Sequence, residues 1–375
     1  MRPAAPTLRI HAGPRAAAWL KDHGLRAGDV RAIPAAAGGA KGITLNPLDR
    51  FIFGHWLQGP GSTAQQHVHL LGASIGAWRM AAACLADPDA ALAQLAEDYI
   101  TQRYEHAPGK MPTASTVSRA FGQKIEERLG RRAAEVLSHP RFRLHVFTSR
   151  GRHVLARQGR VRTPAGYLGA YLANAAHRRA LATFIDRVVF ADPREALPFA
   201  LSDFRTHHAT LTAGNLAPAI LASCSIPFWL DAVHDIPGGP RGAYWDGGIT
   251  DYHLHLNYAQ MADLPVPGWG GGPGLVLYPH FQPHIVPGWL DKGFKRRHRA
   301  SPMLDNLVVL SPAPEWVARL PNAKLPDRND FKAYRHDDAR RVRDWRVAVA
   351  ESQRLADEFA EIVTGGQPVL ALPLP

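Results

Sequence analysis

Cysteine is nearly absent: Cys84 and Cys224 are the only two in 375 residues, each in an apolar, Ala-rich setting. Two thiols do not make the framework of a secreted disulfide scaffold, and buried free thiols are expected rather than a disulfide or a metal site. The stretch Met1 to Ile10 carries Arg2 and Arg9 but no apolar core of signal-peptide length, and no later run has the apolar length needed to span a bilayer. The expectation is a soluble, cytoplasmic chain. Repeat periods and long low-complexity tracts are also missing, which argues against a solenoid.

Acidic charge is the other shortage, with 32 Asp and Glu against 44 Lys and Arg, a net charge of +12. Such an excess attracts anionic surfaces before any specific contact, and phospholipid head groups and nucleic acid both qualify. A non-enzymatic basic binding protein would make phosphate contacts through segments such as Arg340 to Arg346. No recognised nucleic-acid motif accompanies the charge, so no nucleic-acid partner is expected.

What is present is apolar material, 46% of the residues, enough for one large core or two modest ones. Short apolar runs read as strands at Val30 to Ala37, Val68 to Gly72, Arg143 to Thr148, Arg187 to Phe190, Leu275 to Tyr278 and Leu307 to Leu310. Several are apolar on both sides, as buried parallel strands are. Helical spacing marks Ile75 to Ala86, Asp89 to Tyr104, Ala114 to Leu129, Gly166 to Thr183, Asn215 to Ser225 and Arg335 to Val363. Strands alternating with helices predict a three-layer α/β/α sandwich around a mostly parallel sheet. Pro and Gly cluster at Pro237 to Gly242 and Pro265 to Gly274, which read as loops.

Three short segments carry chemistry. The first is Gly72-Ala73-Ser74-Ile75-Gly76, between an apolar run and a helical stretch. A serine on a strained strand-to-helix turn projects its hydroxyl outward, the flanking glycines avoid clashes, and the helix N-terminus favours developing negative charge. A tight turn whose serine only caps the helix is the alternative. The second, Ala37-Gly38-Gly39-Ala40-Lys41-Gly42, follows the first predicted strand and is suited to presenting consecutive backbone N–H groups to an oxyanion. A phosphate cradle or a plain Gly-rich turn competes, although the Lys-Ser or Lys-Thr of a P-loop and the spacing of a dinucleotide fingerprint are both missing. The third, Tyr244-Trp245-Asp246-Gly247-Gly248, ends an aromatic run with an aspartate and two glycines, a sequence that also suits a common turn.

In order along the chain, GGAKG at 38–42, GASIG at 72–76 and DGG at 246–248 resemble the three motifs of patatin-like phospholipases. Ala222-Ser223-Cys224-Ser225-Ile226-Pro227 resembles the small-residue stretch that the family places shortly before its Asp-Gly-Gly. The resemblance covers roughly residues 30 to 310 as an arrangement, with its specific signal in about two dozen positions. It implies a patatin-like catalytic domain over 30–312, an N-terminal extension over 1–29 and a helical segment over 313–375 packed on the same domain. Carried over, it makes Ser74 the nucleophile on a lipid ester carbonyl and Asp246 the base that takes its proton. Backbone N–H groups of Gly38, Gly39 and Ala40 would hold the oxyanion, with Lys41, Gly42, Gly72, Gly76, Gly247 and Gly248 supporting the motifs. No metal or organic cofactor is implied. Two departures stand out: Ala37 replaces the loop's usual first glycine, and Gly42 to Pro47 is expected to break the helix that usually follows.

An aspartate of ordinary pKa, about 3.9, is a poor base for a serine hydroxyl, so the site must desolvate Asp246 and stabilise the oxyanion. One oxyanion donor is worth roughly 3 kcal/mol. A Ser-His-Asp esterase is the competing enzyme, since His253, His255, His280 and His284 all follow Asp246. Finally, Trp289 to Arg299 combines Trp289, Leu290 and Phe294 with Lys292, Lys295, Arg296, Arg297 and Arg299. That composition suits peripheral contact with an anionic membrane, at about 1 kcal/mol per basic side chain, or a solvated basic loop.

Overall fold

A computed structural model describes residues 6–59, 66–105, 112–261 and 274–375. All six predicted strands are present: β2 (Val30–Ala35), β3 (Val68–Ala73), β4 (Phe142–Gly151), β5 (Ile185–Ala191), β9 (Leu275–Pro279) and β10 (Leu307–Pro312). Five further short strands join them: β1 (Leu8–Ala12), β6 (Thr206–Thr210), β7 (Val233–His234), β8 (Ala243–Trp245) and β11 (Leu372–Pro373). The main path of the sheet runs β11-β1-β10-β9-β2-β3-β4-β5-β6, while β8 branches off β4 and pairs with β7.

Strands β10, β9, β2, β3 and β4 run parallel to one another; β1 is antiparallel to β10 and parallel to β11, and β5 is antiparallel to β4 and parallel to β6. Every residue of β2, β3, β9 and β10 is buried, so helices and loops cover both faces of the central sheet. This is the expected layered α/β fold. Residues 1–29, expected as an extension ahead of it, contribute β1, whose register against β10 runs from Leu8 opposite Pro312 to Ala12 opposite Val308, and the helix α1 (Pro14–His23).

Of the expected helices Ala114–Leu129 appears with the bounds expected, and the others with shifted ends. They are α3 (Ile75–Ala83), α4 (Pro88–Thr101), α5 (Ala114–Leu129), α6 (Arg162–Ala176) and α7 (Leu216–Ser223). Helix α6 stops because His177 turns extended, at φ −158 and ψ 132, and residues 178–183 form a separate 3-10 turn. The single helix expected over 335–363 is two, α8 (Asp338–Glu351) and α9 (Gln353–Thr364). Its start moves to 338 because the Asp337 side chain caps the N–H of Arg340 at 2.9 Å. Its interruption falls at buried Ser352, whose hydroxyl bonds back to the Ala348 carbonyl at 2.7 Å.

The expected break over Gly42 to Pro47 is also corrected. Residues Gly39–Leu45 form a 3-10 turn that runs directly into α2 (Asn46–Gly54). Pro47 lies in the first turn of α2, where its missing N–H has no partner to lose. Both thiols are buried and unpaired, as expected. Of the second Pro/Gly cluster, residues 265–273 lie outside those described. Among the described residues no helix is long and apolar enough to cross a membrane.

Candidate active site

The site forms beyond the carboxyl ends of parallel strands β2 and β3, where crevices open in sheets of this kind. Ser74 is the residue between β3 and α3, held at φ +57 and ψ −130, a conformation that L side chains rarely adopt. The glycines on either side are obligatory for contact reasons. A Cβ on Gly72 would lie 2.3 Å from the Ala77 Cα, and one on Gly76 would lie 1.9 Å from the Ala35 carbonyl oxygen. The elbow therefore packs backbone against backbone, with α3 seated on β2.

Asp246 follows β8, which pairs antiparallel with the far end of β4 through Trp245 opposite Ser149. The Ser74 hydroxyl donates to Asp246 Oδ2 at 2.6 Å across 172 positions of sequence. The N–H of Gly248 donates to the other carboxylate oxygen at 2.7 Å, fixing the carboxylate plane. Here too the glycines are forced: a Cβ on Gly247 would meet the Phe147 carbonyl oxygen at 2.1 Å, and one on Gly248 would meet the Ala37 methyl at 2.6 Å. Ala37, where the motif departs, thus fills the space beside Gly248, and its N–H donates to the Tyr252 carbonyl at 2.9 Å.

Burial pushes the Asp246 carboxyl up to about 6, against the pull of the Ser74 and Gly248 hydrogen bonds and the positive charges of Arg328 and Lys292. Next to it lies a cavity of about 170 Å³ whose wall includes Gly38, Gly39, Ser74 and Asp246. A Cβ on Gly38 would strike the Phe281 ring at 2.5 Å, and Gly39 sits at φ +56. Lys41, Lys292 and Arg328 line the same cavity. Partial withdrawal from water, with Arg328 and Lys41 nearby, pushes Lys292 down to about 8. Asp327 also lines the cavity, but Lys324 at 3.1 Å and the Asn329 N–H at 2.8 Å engage its carboxylate.

The four histidines weighed as competing bases, His253, His255, His280 and His284, lie elsewhere. His253 Nδ1 accepts from the Val286 N–H at 3.0 Å, His280 Nδ1 accepts from the Gln282 N–H at 3.0 Å, and their rings pack edge to face. Among the described residues neither they nor His255 and His284 hydrogen-bond Ser74.

A role that the sequence did not assign belongs to Ser223. Its hydroxyl accepts the N–H of Ser74 at 2.8 Å and donates to the Phe147 carbonyl at 2.6 Å, tying the elbow to β4. The small-residue segment 222–227 was legible, but which of its serines faces the elbow was not. Ser223→Ala should orphan a buried amide, costing about 1–3 kcal/mol of stability. With the elbow loosened, kcat should fall about tenfold at nearly constant KM. Steady-state kinetics beside a denaturant melt would check this, and an unchanged kcat would restrict Ser223 to packing.

A family model described as patatin-like phospholipase matches residues 51–253, more than half of the chain. No curated protein matches. The matched span contains Ser74, Ser223 and Asp246, while the Gly38 to Gly42 loop precedes it and Lys292 and Arg328 follow it.

Proposed function

Because the chain belongs to the patatin-like phospholipase family, a family of lipid acyl hydrolases, we propose that it cleaves lipid carboxylic esters with Ser74 as nucleophile and Asp246 as its only side-chain base. The 2.6 Å hydrogen bond from the Ser74 hydroxyl to Asp246 carries this reading. Attack of Ser74 Oγ on the ester carbonyl passes the hydroxyl proton to Asp246 and places negative charge on the carbonyl oxygen. N–H groups of Gly38, Gly39 and Ala40, with the N-terminus of α3, stabilise that charge. Collapse of the adduct expels the alcohol, which takes the proton from Asp246, and leaves an acyl-serine. Water then attacks the acyl carbonyl, Asp246 accepts its proton, and Ser74 Oγ leaves with that proton as the fatty acid is released.

The reading is tested by fluorophosphonate labelling. The label should attach at Ser74, vanish in Ser74→Ala and survive each single histidine replacement; a folded wild-type chain that takes no label sinks the proposal.

An acid–base prediction follows from Asp246. The base works ionised and its pKa lies near 6, so kcat/KM should fall as pH drops through about 6 and level off above about 7. Burial drives His253 far below its ordinary value and His280 down to about 3, so neither titrates in that window. A pH–rate profile flat from about 5 to 8 contradicts the assignment.

For the substrate, Lys41, Lys292 and Arg328 around the cavity favour an ester with an anionic head group, as in a phospholipid or lysophospholipid. Peripheral contact with anionic membrane belongs to the same reading. In the segment proposed for it, Lys295, Arg296 and Arg299 are exposed. Arg297 is occupied by Asp291 at 2.6 Å, Phe294 stacks on Tyr171 and Trp289 lines the cavity.

A further inference from the structure

Helix α6 carries apolar side chains on its outside. Its inward positions are Thr163, Gly166, Tyr167, Ala170 and Asn174, a half-polar set. Its exposed positions include Pro164, Ala165, Leu168, Tyr171 and Leu172. Leu168 is 60%, Tyr171 46% and Leu172 59% exposed, and Val161, just ahead of the helix, is 80% exposed. A helix facing water ordinarily arranges itself the other way round.

This face adjoins the mouth of the catalytic cavity. Phe228, 58% exposed and held at φ +70, follows Ile226 and Pro227 of the cavity wall. Its ring lies 5.7 Å from that of Tyr167 on α6, and Tyr167 packs at 5.8 Å on Trp245, the neighbour of Asp246.

Charge around the face is mostly positive, with Asp231, which accepts from Gln158 at 2.8 Å, as a carboxylate beside it. No Asp or Glu occurs from Ala156 to Ile185. Arg157 and Arg160 lie before α6 and Arg179 after it, all exposed and without an ion-pair partner among the described residues. Lys295 and Arg296 extend the fringe beside Phe294, which stacks on Tyr171 at 6.1 Å.

We propose that Val161, Leu168, Tyr171, Leu172 and Phe228 form the surface that seats the protein on an anionic lipid bilayer, with the cavity mouth facing the lipid. This rests on the lipid-ester reading above. Apolar side chains flanked by arginines match an interface in which acyl chains lie below a layer of phosphates. A second copy of the chain fits less well, because a self-complementary contact would bring Arg157, Arg160 and Arg179 against their own copies, with Asp231 beside Gln158 offsetting only part of that repulsion.

Vesicle flotation tests the proposal, using phosphatidylcholine alone and phosphatidylcholine with about one third phosphatidylglycerol. The wild-type chain should float with the anionic vesicles. Leu168→Glu with Leu172→Glu should lower the bound fraction about tenfold or more while leaving turnover of a short-chain, water-soluble ester unchanged. Arg157→Glu with Arg160→Glu should weaken flotation with the anionic vesicles only. Leu168→Ser with Leu172→Ser replaces the first pair should the glutamates prevent folding. Undiminished flotation of the leucine variants overturns the assignment, as does a wild-type chain that floats with neither vesicle. A wild-type dimer that the leucine variants convert to monomer, measured by sedimentation, overturns it in favour of self-association. A wild-type chain that floats but hydrolyses no ester counts against the serine-hydrolase reading and leaves the surface standing.

Discussion

Ester hydrolysis is expected to fall by about four orders of magnitude or more in Ser74→Ala, and to a similar extent in Asp246→Asn, with the fold intact in both. The two losses share one origin. Without the hydroxyl no acyl-serine forms; without the carboxylate the hydroxyl that points at Oδ2 from 2.6 Å has no acceptor of sufficient basicity. Asparagine preserves shape and volume, so the variant separates charge from packing. Acting on one proton, the two groups should not be additive: the double variant should be little slower than either single one. Single replacements of His253, His255, His280 or His284 should leave folded enzymes with substantial turnover. Rates on a chromogenic ester, with circular dichroism as the folding control, decide the matter. A folded Asp246→Asn enzyme of near-normal rate removes Asp246 as base.

Asp49→Ala is expected to destabilise the fold by about 3–5 kcal/mol, measured by denaturant unfolding. Asp49 on α2 receives the Arg79 guanidinium of α3 through two bonds, at 2.7 and 2.8 Å, and both side chains are buried. Removing the carboxylate leaves a guanidinium with nothing to neutralise it, in the helix that begins at the nucleophile. The pair itself is not a large net source of stability. Burial raises the Asp49 carboxyl above its ordinary value even with Arg79 in contact, so the cost of desolvation exceeds the attraction. Replacing both partners, Asp49→Leu with Arg79→Met, should therefore recover most of the loss. A double variant as unstable as Asp49→Ala would show that the pair holds α2 and α3 together by more than mutual neutralisation.

The legible part of this protein was local. The elbow at 72–76 was readable because Gly72 packs on the backbone of Gly76 and Ala77 a few residues on, and because Ser74 stands between a strand pattern and a helix pattern that are each local. The buried parallel strands were readable because both of their faces are apolar. Elements whose partners lie far away in sequence were missed: β11 is a short edge strand and β1 lies just inside it, both stabilised by pairing across the whole chain. Helix α2 was missed because Pro47 reads as a helix breaker unless it stands in a first turn, which is where the fold puts it. The four histidines could be sorted only by position, since sequence order allowed each of them as a base.

Sequence by itself determined the layered α/β plan and the strand-to-helix turn that presents Ser74, because each depends on residues within a few positions or on a pattern along one element, whereas Gly76, Gly247 and Gly248 answer to atoms of Ala35, Phe147 and Ala37 far away in sequence. Tertiary structure alone decided that Asp246 receives the Ser74 proton donor, that Ser223 anchors the Ser74 amide, that Lys292 and Arg328 converge on the same cavity, and that the apolar side of α6 faces outward. The first three join segments far apart in sequence, and the fourth depends on what packs against α6. Which segments meet, and which face of a helix is left uncovered, is settled by packing of the whole chain.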